Sequence, residues 1–236
     1  MNRGELNAQE MLSQVSTASL STQLVKRGFR TRAIAGIHAL NPKSNHVFGP
    51  AYTLRYIPMR EDLATGPKMG RADNPQRHAI EAVPKDSVLI VDTHGLQASG
   101  TFGDILVERL EKRGVAGIVS DGPMRDIAEI KNMSLPVFAI GNAAPPSFAS
   151  MMAVDAQVPI GCGGVAVFPD DIVVGDEDGV IVVPRDIAED VINEAYEQDL
   201  LESYIRKRIA AGEPIVGLYP PSEETLADYD SWKKNL

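Results

Sequence analysis

Along the middle of the chain, apolar positions fall in short unbroken runs separated by helix-spaced stripes. Residues 87–92 (SVLIVD), 115–120 (VAGIVS) and 136–140 (PVFAI) are continuous runs. Between the first two, residues 103–113 (GDILVERLEKR) carry Ile105, Leu106, Val107 and Leu110 as one helical stripe, closed by Gly114. Residues 124–132 (MRDIAEIKN) read as a short helix before the third run. The order β-α-β-α-β with non-alternating strands predicts a parallel sheet covered by helices.

The flanks read differently. Residues 5–28 predict one or two helices, with Ser16, Thr17, Ser19 and Ser21 as N-caps and Gly28 as a stop. Residues 47–57 (VFGPAYTLRYI) predict a strand, and 59–76 a polar loop followed by a short helix. After residue 150, the segments 152–160, 163–168, 171–174 and 179–183 are short, rich in Val and Ile, and separated by Gly, Pro and Asp. They predict an antiparallel or barrel-like region. A long amphipathic helix follows over about 186–211 and ends at Gly212; the tail 213–236 is expected to pack over a surface or a neighbouring subunit. No repeat or linker divides the 236 residues, so one domain is expected.

Composition narrows the function. The 23 basic and 32 acidic side chains give a net charge of −9, which argues against a nucleic-acid partner. Four histidines without short metal-ligand spacing and a single Cys162 leave neither a zinc site nor an intrachain disulfide. No long apolar run or leader-like N-terminus is present, so a cytoplasmic protein off the membrane is expected.

In an open parallel sheet, ligands bind beyond the carboxyl ends of the strands. Two such ends occur here: THGLQASGTFGD before the helix at Gly103, and SDGPMRD before the helix at Arg125. If their strands are neighbours, one crevice holds Asp92, His94, Asp104, Asp121, Arg125 and Asp126, a set suited to Mg²⁺ or Mn²⁺ with oxygen ligands. Each Asp also has an ordinary reading as a cap or turn residue, and Arg125 as a surface ion pair. Gly161-Cys162-Gly163-Gly164 lacks the lysine and following helix of a phosphate loop and reads as a turn or bulge.

The set Asp104-x20-Arg125-Asp126-x2-Glu129, with the later GGVAVFPDDIVVGDEDGVIVVP, resembles the class II pyruvate aldolases of the RraA-like family, over roughly residues 15–212. These act on 4-hydroxy-4-methyl-2-oxoglutarate and 4-carboxy-4-hydroxy-2-oxoadipate. The same family holds regulators of ribonuclease E that lack the Arg-Asp pair. The resemblance implies an α/β fold of the swivelling β/β/α kind with a β-rich second half, assembled as a homotrimer or homohexamer with sites between subunits. It implies Asp126 as the protein ligand to Mg²⁺ and chelation of the metal by pyruvate. Gly103 and the backbone N–H groups of Ile105 and Leu106 would hold the substrate carboxylate. Arg125 would contact the keto oxygen, Asp104 a water on the metal, and Glu202 (or Glu197) would come from a neighbouring subunit.

The residue types suit that chemistry. Cleaving a 4-hydroxy-2-oxo acid leaves charge on the keto oxygen as the pyruvate enolate forms, and a cation plus a guanidinium stabilise it. Decarboxylation of oxaloacetate passes through the same enolate. The lysines lie in polar segments, against a Schiff-base route. The second reading is a non-catalytic regulator that binds ribonuclease E.

Overall fold

The computed structural model describes residues 8–63 and 70–234. Four parallel strands, β2 (Val47–Pro58), β3 (Val88–Asp92), β4 (Gly117–Ser120) and β5 (Val137–Ala139), lie side by side in chain order. Helices α3 (Pro75–Ala82), α4 (Asp104–Lys112) and α5 (Ile127–Ile130) connect them. Strand β1 (His38–Ala39) pairs antiparallel with β5 at one edge. Beyond β2 come β9 (Ile172–Asp176) and β10 (Gly179–Val183), an antiparallel hairpin.

Strand β3 shows why its sequence does not alternate. Leu89 and Val91 enter a core with Val107 and Leu110 of α4, while Val88 and Ile90 enter a second core on the other face. Both faces are buried, so no position favours a polar side chain. The second core is enclosed by a curled sheet: a Cβ added to Gly175 of β9 would lie 3.3 Å from the ring of Phe138 on β5. Its filling is a separate hairpin of β7 (Ile160–Cys162) and β8 (Val165–Val167). Gly163 and Gly164 form that hairpin's turn with φ of 51° and 81°, the backbone of a two-residue type I′ turn. A phosphate loop is excluded there, as expected.

A third core joins β9 and β10 to α1 (Ala8–Leu12), α2 (Thr17–Lys26) and the long α6 (Ala188–Ala210). Ser16 caps α2, accepting from the Ser19 N–H, and Gly28 ends it at a φ of 86°. Strand β2 is the shared rail. One edge pairs with β3; the other pairs with β9 at its start and with β6 (Met151–Ala156) at its end.

Several boundaries differ from the sequence expectation. The helix expected within 59–76 begins only at Pro75, where the Asn74 side chain caps it. The strand expected over 152–160 breaks at Gln157, which has a φ of 55°, and yields β6 and β7. The helix expected over 124–132 shrinks to α5 because Asp126 is left-handed, with a φ of 56°. The tail forms a helix, α7 (Glu223–Lys233), capped by Ser222. It packs on α6 of the same chain through Tyr204, Tyr229 and Trp232, whose ring centroids lie 5.2–6.0 Å apart. Among the described residues, no helix is long and apolar enough to cross a membrane.

Candidate functional site

The segment after β3 and the turn after β4 are stitched together by backbone hydrogen bonds. Thr101 N–H donates to the Pro123 carbonyl and Arg125 N–H to the Phe102 carbonyl, both at 2.8 Å. The loop after β5 joins from the other side: Met124 N–H donates to Gly141 and Ala143 N–H to Met124, each at 3.0 Å. Arg125 and Asp126 therefore sit on a backbone held by three strand ends. They lie beside the start of α4, as the spacing implied.

Two glycines make the room. A Cβ on Gly100 would come within 2.2 Å of Arg125 Cγ, and one on Gly103 within 2.5 Å of Asp126 Oδ2. The arginine stem thus lies against Gly100, and the Asp126 carboxylate lies over Gly103, the N-cap of α4. Gly103 brings no side chain to that helix end, and a helix N-terminus favours a negative group. Among the described residues, neither the Arg125 guanidinium nor the Asp126 carboxylate makes a hydrogen bond or ion pair, and Arg125 Nε is buried without a partner. A buried guanidinium nitrogen left unsatisfied costs about 1–3 kcal/mol, so its position is one that a ligand oxygen would improve. Arg125 lines a cavity of about 140 Å³ with Gly103, Leu106 and Phe148.

The helix start is partly engaged. Asp104 Oδ1 accepts from the Ile105 N–H at 2.8 Å, and the Leu106 N–H points to the Gly103 carbonyl at 3.1 Å. These are the two groups that the resemblance assigns to a substrate carboxylate. Ile105 itself is exposed.

The single crevice expected from the sequence divides in two. Asp92 and Asp121 are buried at the ends of β3 and β4, and backbone N–H groups satisfy them. Asp121 accepts from Thr93 N–H and hydroxyl at 2.6 and 2.9 Å and from Gly163 N–H at 3.1 Å. Asp92 accepts from His94 N–H at 2.9 Å and Gly161 N–H at 3.2 Å. These acids fasten the β7–β8 hairpin to the sheet through long-range contacts; only the Asp92–His94 bond is a local turn contact of the kind expected. His94 and Asp121 line a separate cavity of about 560 Å³ with Gly161 and Gly163. Cys162, behind it, is buried; burial, then the negative Asp121, pushes its thiol well above the usual range.

Glu202 does not join Asp126 within the chain. It lies on α6 in a groove of about 730 Å³ between α2, α6 and α7, and accepts from Gln198 Nε2 at 2.8 Å. Glu197, on the same groove, is paired with Lys233. This groove is larger than the cavity beside Arg125; of its charged side chains, Glu194 and Glu197 are paired, to Arg27 and Lys233. The side chains of Arg125 and Asp126, without partners among the described residues, make the smaller cavity the candidate site. Sequence reasoning missed Gly100, Arg77 and Phe148, which no motif distinguishes.

A family model described as RraA-like, Aldolase/RraA, matches residues 17–182. The chain belongs to the RraA-like family. Over 165 residues it is 33% identical to a Halalkalibacterium halodurans protein provisionally named 4-hydroxy-4-methyl-2-oxoglutarate aldolase, covering 70% of this chain and 72% of that one. It is 30% identical over 211 residues to DlpA of Legionella pneumophila, covering 89% of this chain but only about a third, 32%, of DlpA. The structure of Streptomyces coelicolor RraAS2, described as an unusual member of the RNase ES inhibitor RraA family, superposes with a TM-score of 0.75 at 31% identity, over 87% of this chain and 98% of that one. A Pseudomonas syringae protein superposes at 0.78 with 26% identity, over 90% and 96%. The fold is thus the RraA-like α/β fold expected, and the family includes relatives named as aldolases and others named as RraA inhibitors. Glu197 and Glu202 lie beyond the matched residues.

Proposed function

We propose that this RraA-like chain is a divalent-metal-dependent carbon–carbon lyase that cleaves a 4-hydroxy-2-oxo acid, of the 4-hydroxy-4-methyl-2-oxoglutarate type, to pyruvate. The observation that carries the reading is the Arg125–Asp126 pair, neither bonded to a described residue: Asp126 has its carboxylate over the start of α4, and Arg125, with a buried Nε lacking a partner, lines the cavity beside it.

The donor set fits a shared cation rather than a closed cage. Among the described residues, no group of three or more His, Cys, Asp or Glu side chains could hold a metal ion. Mg²⁺ is commonly held by one or two carboxylates and completes its shell from substrate oxygens and water. Asp126 would hold Mg²⁺ or Mn²⁺ in that mode. When bound, the cation polarises the 2-oxo acid as a Lewis acid.

The chain's own groups do the rest. The substrate carboxylate takes the Ile105 N–H from Asp104 Oδ1 at the positive end of α4, which releases the Asp104 side chain. Arg125 donates to the keto oxygen and stabilises the negative charge that grows there as the C3–C4 bond parts. The C4 hydroxyl loses its proton as the new carbonyl forms, and Asp104 orients the water that accepts it. Pyruvate leaves after C3 takes up a proton. Glu202 of a neighbouring copy would complete the site in a homotrimer or homohexamer.

The test is release of pyruvate from 4-hydroxy-4-methyl-2-oxoglutarate and from oxaloacetate, with Mg²⁺ and with EDTA. Activity should vanish with EDTA and return with metal. Asp126→Asn should lower turnover by at least about 10³-fold and Arg125→Met by about 10²–10³-fold, with unfolding midpoints unchanged. Metal-loaded protein that turns over neither acid rejects the reading and favours a regulator of an RNA-degrading enzyme.

A further inference from the structure

We propose that Arg77 is a specificity-determining residue: it binds the far carboxylate of the substrate and sets the preference for a dicarboxylic over a monocarboxylic 2-oxo acid. The inference rests on the lyase reading for its chemistry and on the cavity wall for its evidence. That wall is lined by two arginines, Arg77 and Arg125, and the carboxylate beside it, Asp126 over Gly103, is the group that the lyase reading gives to the cation. Arg77 is left without an anion of its own, and two like charges on one small cavity repel each other unless an anion lies between them.

Arg77 is poorly explained by the fold alone. It is half-buried, and it makes no hydrogen bond or ion pair through its side chain with any described residue. Arg27, Arg60, Arg71, Arg109, Arg185 and Arg208 each find a carboxylate in this acidic chain. Arg77 also stands in the first turn of α3, three residues after the Asn74 cap. A cation there opposes the helix dipole. The opposed dipole costs stability, and a carboxylate placed against Arg77 offsets it.

The setting is rigid. Gln76, next to Arg77, is buried and donates to the Tyr56 hydroxyl at 2.7 Å and the Thr101 carbonyl at 2.9 Å. These bonds tie the first turn of α3 to the loop that carries Gly100 and Gly103. Phe148 and Leu106 give the cavity apolar walls suited to the carbon chain of a short acid. At about 140 Å³, the cavity lies below the roughly 300–1,000 Å³ of drug-sized sites. A small acid with a carboxylate at each end suits these walls: one end goes to Arg125 and α4, the other to Arg77.

The experiment separates this inference from the reading it rests on. In the presence of Mg²⁺, calorimetry measures binding of 2-oxoglutarate and of 2-oxopentanoate to the full chain and to Arg77→Met and Arg77→Lys. Neither acid has a 4-hydroxyl to cleave, and they differ only in the far carboxylate. The wild type should prefer 2-oxoglutarate by about ten- to a hundredfold, as expected for one charged hydrogen-bonded contact. Arg77→Met should bring the preference below about threefold at an unchanged unfolding midpoint, and Arg77→Lys should restore part of it. Equal affinity for both acids in the wild type, or a preference kept by Arg77→Met, overturns the inference. In parallel, exchange of the pyruvate methyl protons with D₂O reports enolate formation without a far carboxylate. Absence of exchange in the wild type rejects the lyase reading, and the binding arm still decides the role of Arg77.

Discussion

Two pairs of aspartates end the same two strand–helix units, and the structure gives them opposite situations. Asp92 and Asp121 are buried, with every carboxylate oxygen accepting from a backbone N–H or a hydroxyl. Among the described residues, Asp126 is exposed and unpaired, and Asp104 meets only the N–H of the next residue. A carboxylate whose lone pairs are filled by the backbone holds a fold together; one whose lone pairs are open can hold something else. The comparison teaches that being an acid at the carboxyl end of a strand is not itself evidence of chemistry. What decides is whether the chain has already supplied the donors.

The comparison can be broken by exchanging the costs. Asp121→Ala should destabilise by about 3–5 kcal/mol in urea unfolding, because it leaves the Thr93 and Gly163 N–H groups without their charged acceptor. Asp126→Asn should move the same midpoint by less than about 0.5 kcal/mol, since surface changes away from partners rarely do more. If the two substitutions destabilise alike, the division between the pairs fails.

A subtler break is Gly103→Ala. Its backbone, with φ of −106° and ψ of 177°, admits alanine, yet the new methyl group would press on Asp126 Oδ2. Pyruvate release should fall by about 10–100-fold, while stability changes by less than about 1 kcal/mol. An unchanged rate would mean that the carboxylate does not act from over the helix start.

The smallest effect concerns the buried pair's neighbour. The Cys162 thiol is held well above its ordinary range by burial, then by Asp121, so it stays protonated in the folded chain. The unfolded thiol ionises near pH 8.5. Above that pH the unfolded state binds fewer protons than the folded one, so stability should decline as pH rises through about 9. Tyr229, pushed up to about 12 by burial, adds the same sign at higher pH. Urea midpoints from pH 7 to 10 measure the slope, and Cys162→Ala should remove the thiol's share. Cys162 in the native chain should also resist thiol reagents that label it fully in urea.

Much of this was legible in the residues. The unbroken SVLIVD run gave away a strand covered on both faces, and the stripe before Gly114 located α4. The Arg125–Asp126 spacing correctly put those residues beside that helix. Helix α7 was not legible, because EETLADYDSWK has no sustained apolar stripe and is held by its Tyr229 and Trp232 against Tyr204 of α6. Nor was the separation of the two aspartate pairs. The donors that satisfy Asp92 and Asp121 come from Gly161 and Gly163, 69 and 42 residues away. Arg77 carried no signal because its meaning lies in what it fails to contact.

Strand β2 has one further consequence. Its twelve residues are gripped by three partners at staggered heights, so adding or deleting a single residue there would part several ladders together and exchange Tyr52, Leu54 and Tyr56 with the side chains facing the opposite core. Changes of length are better tolerated outside that rail, in the polar stretch before α3 and in the segment beyond α6. Diversification of this architecture should therefore concentrate in those flanking segments and leave β2 at one fixed length.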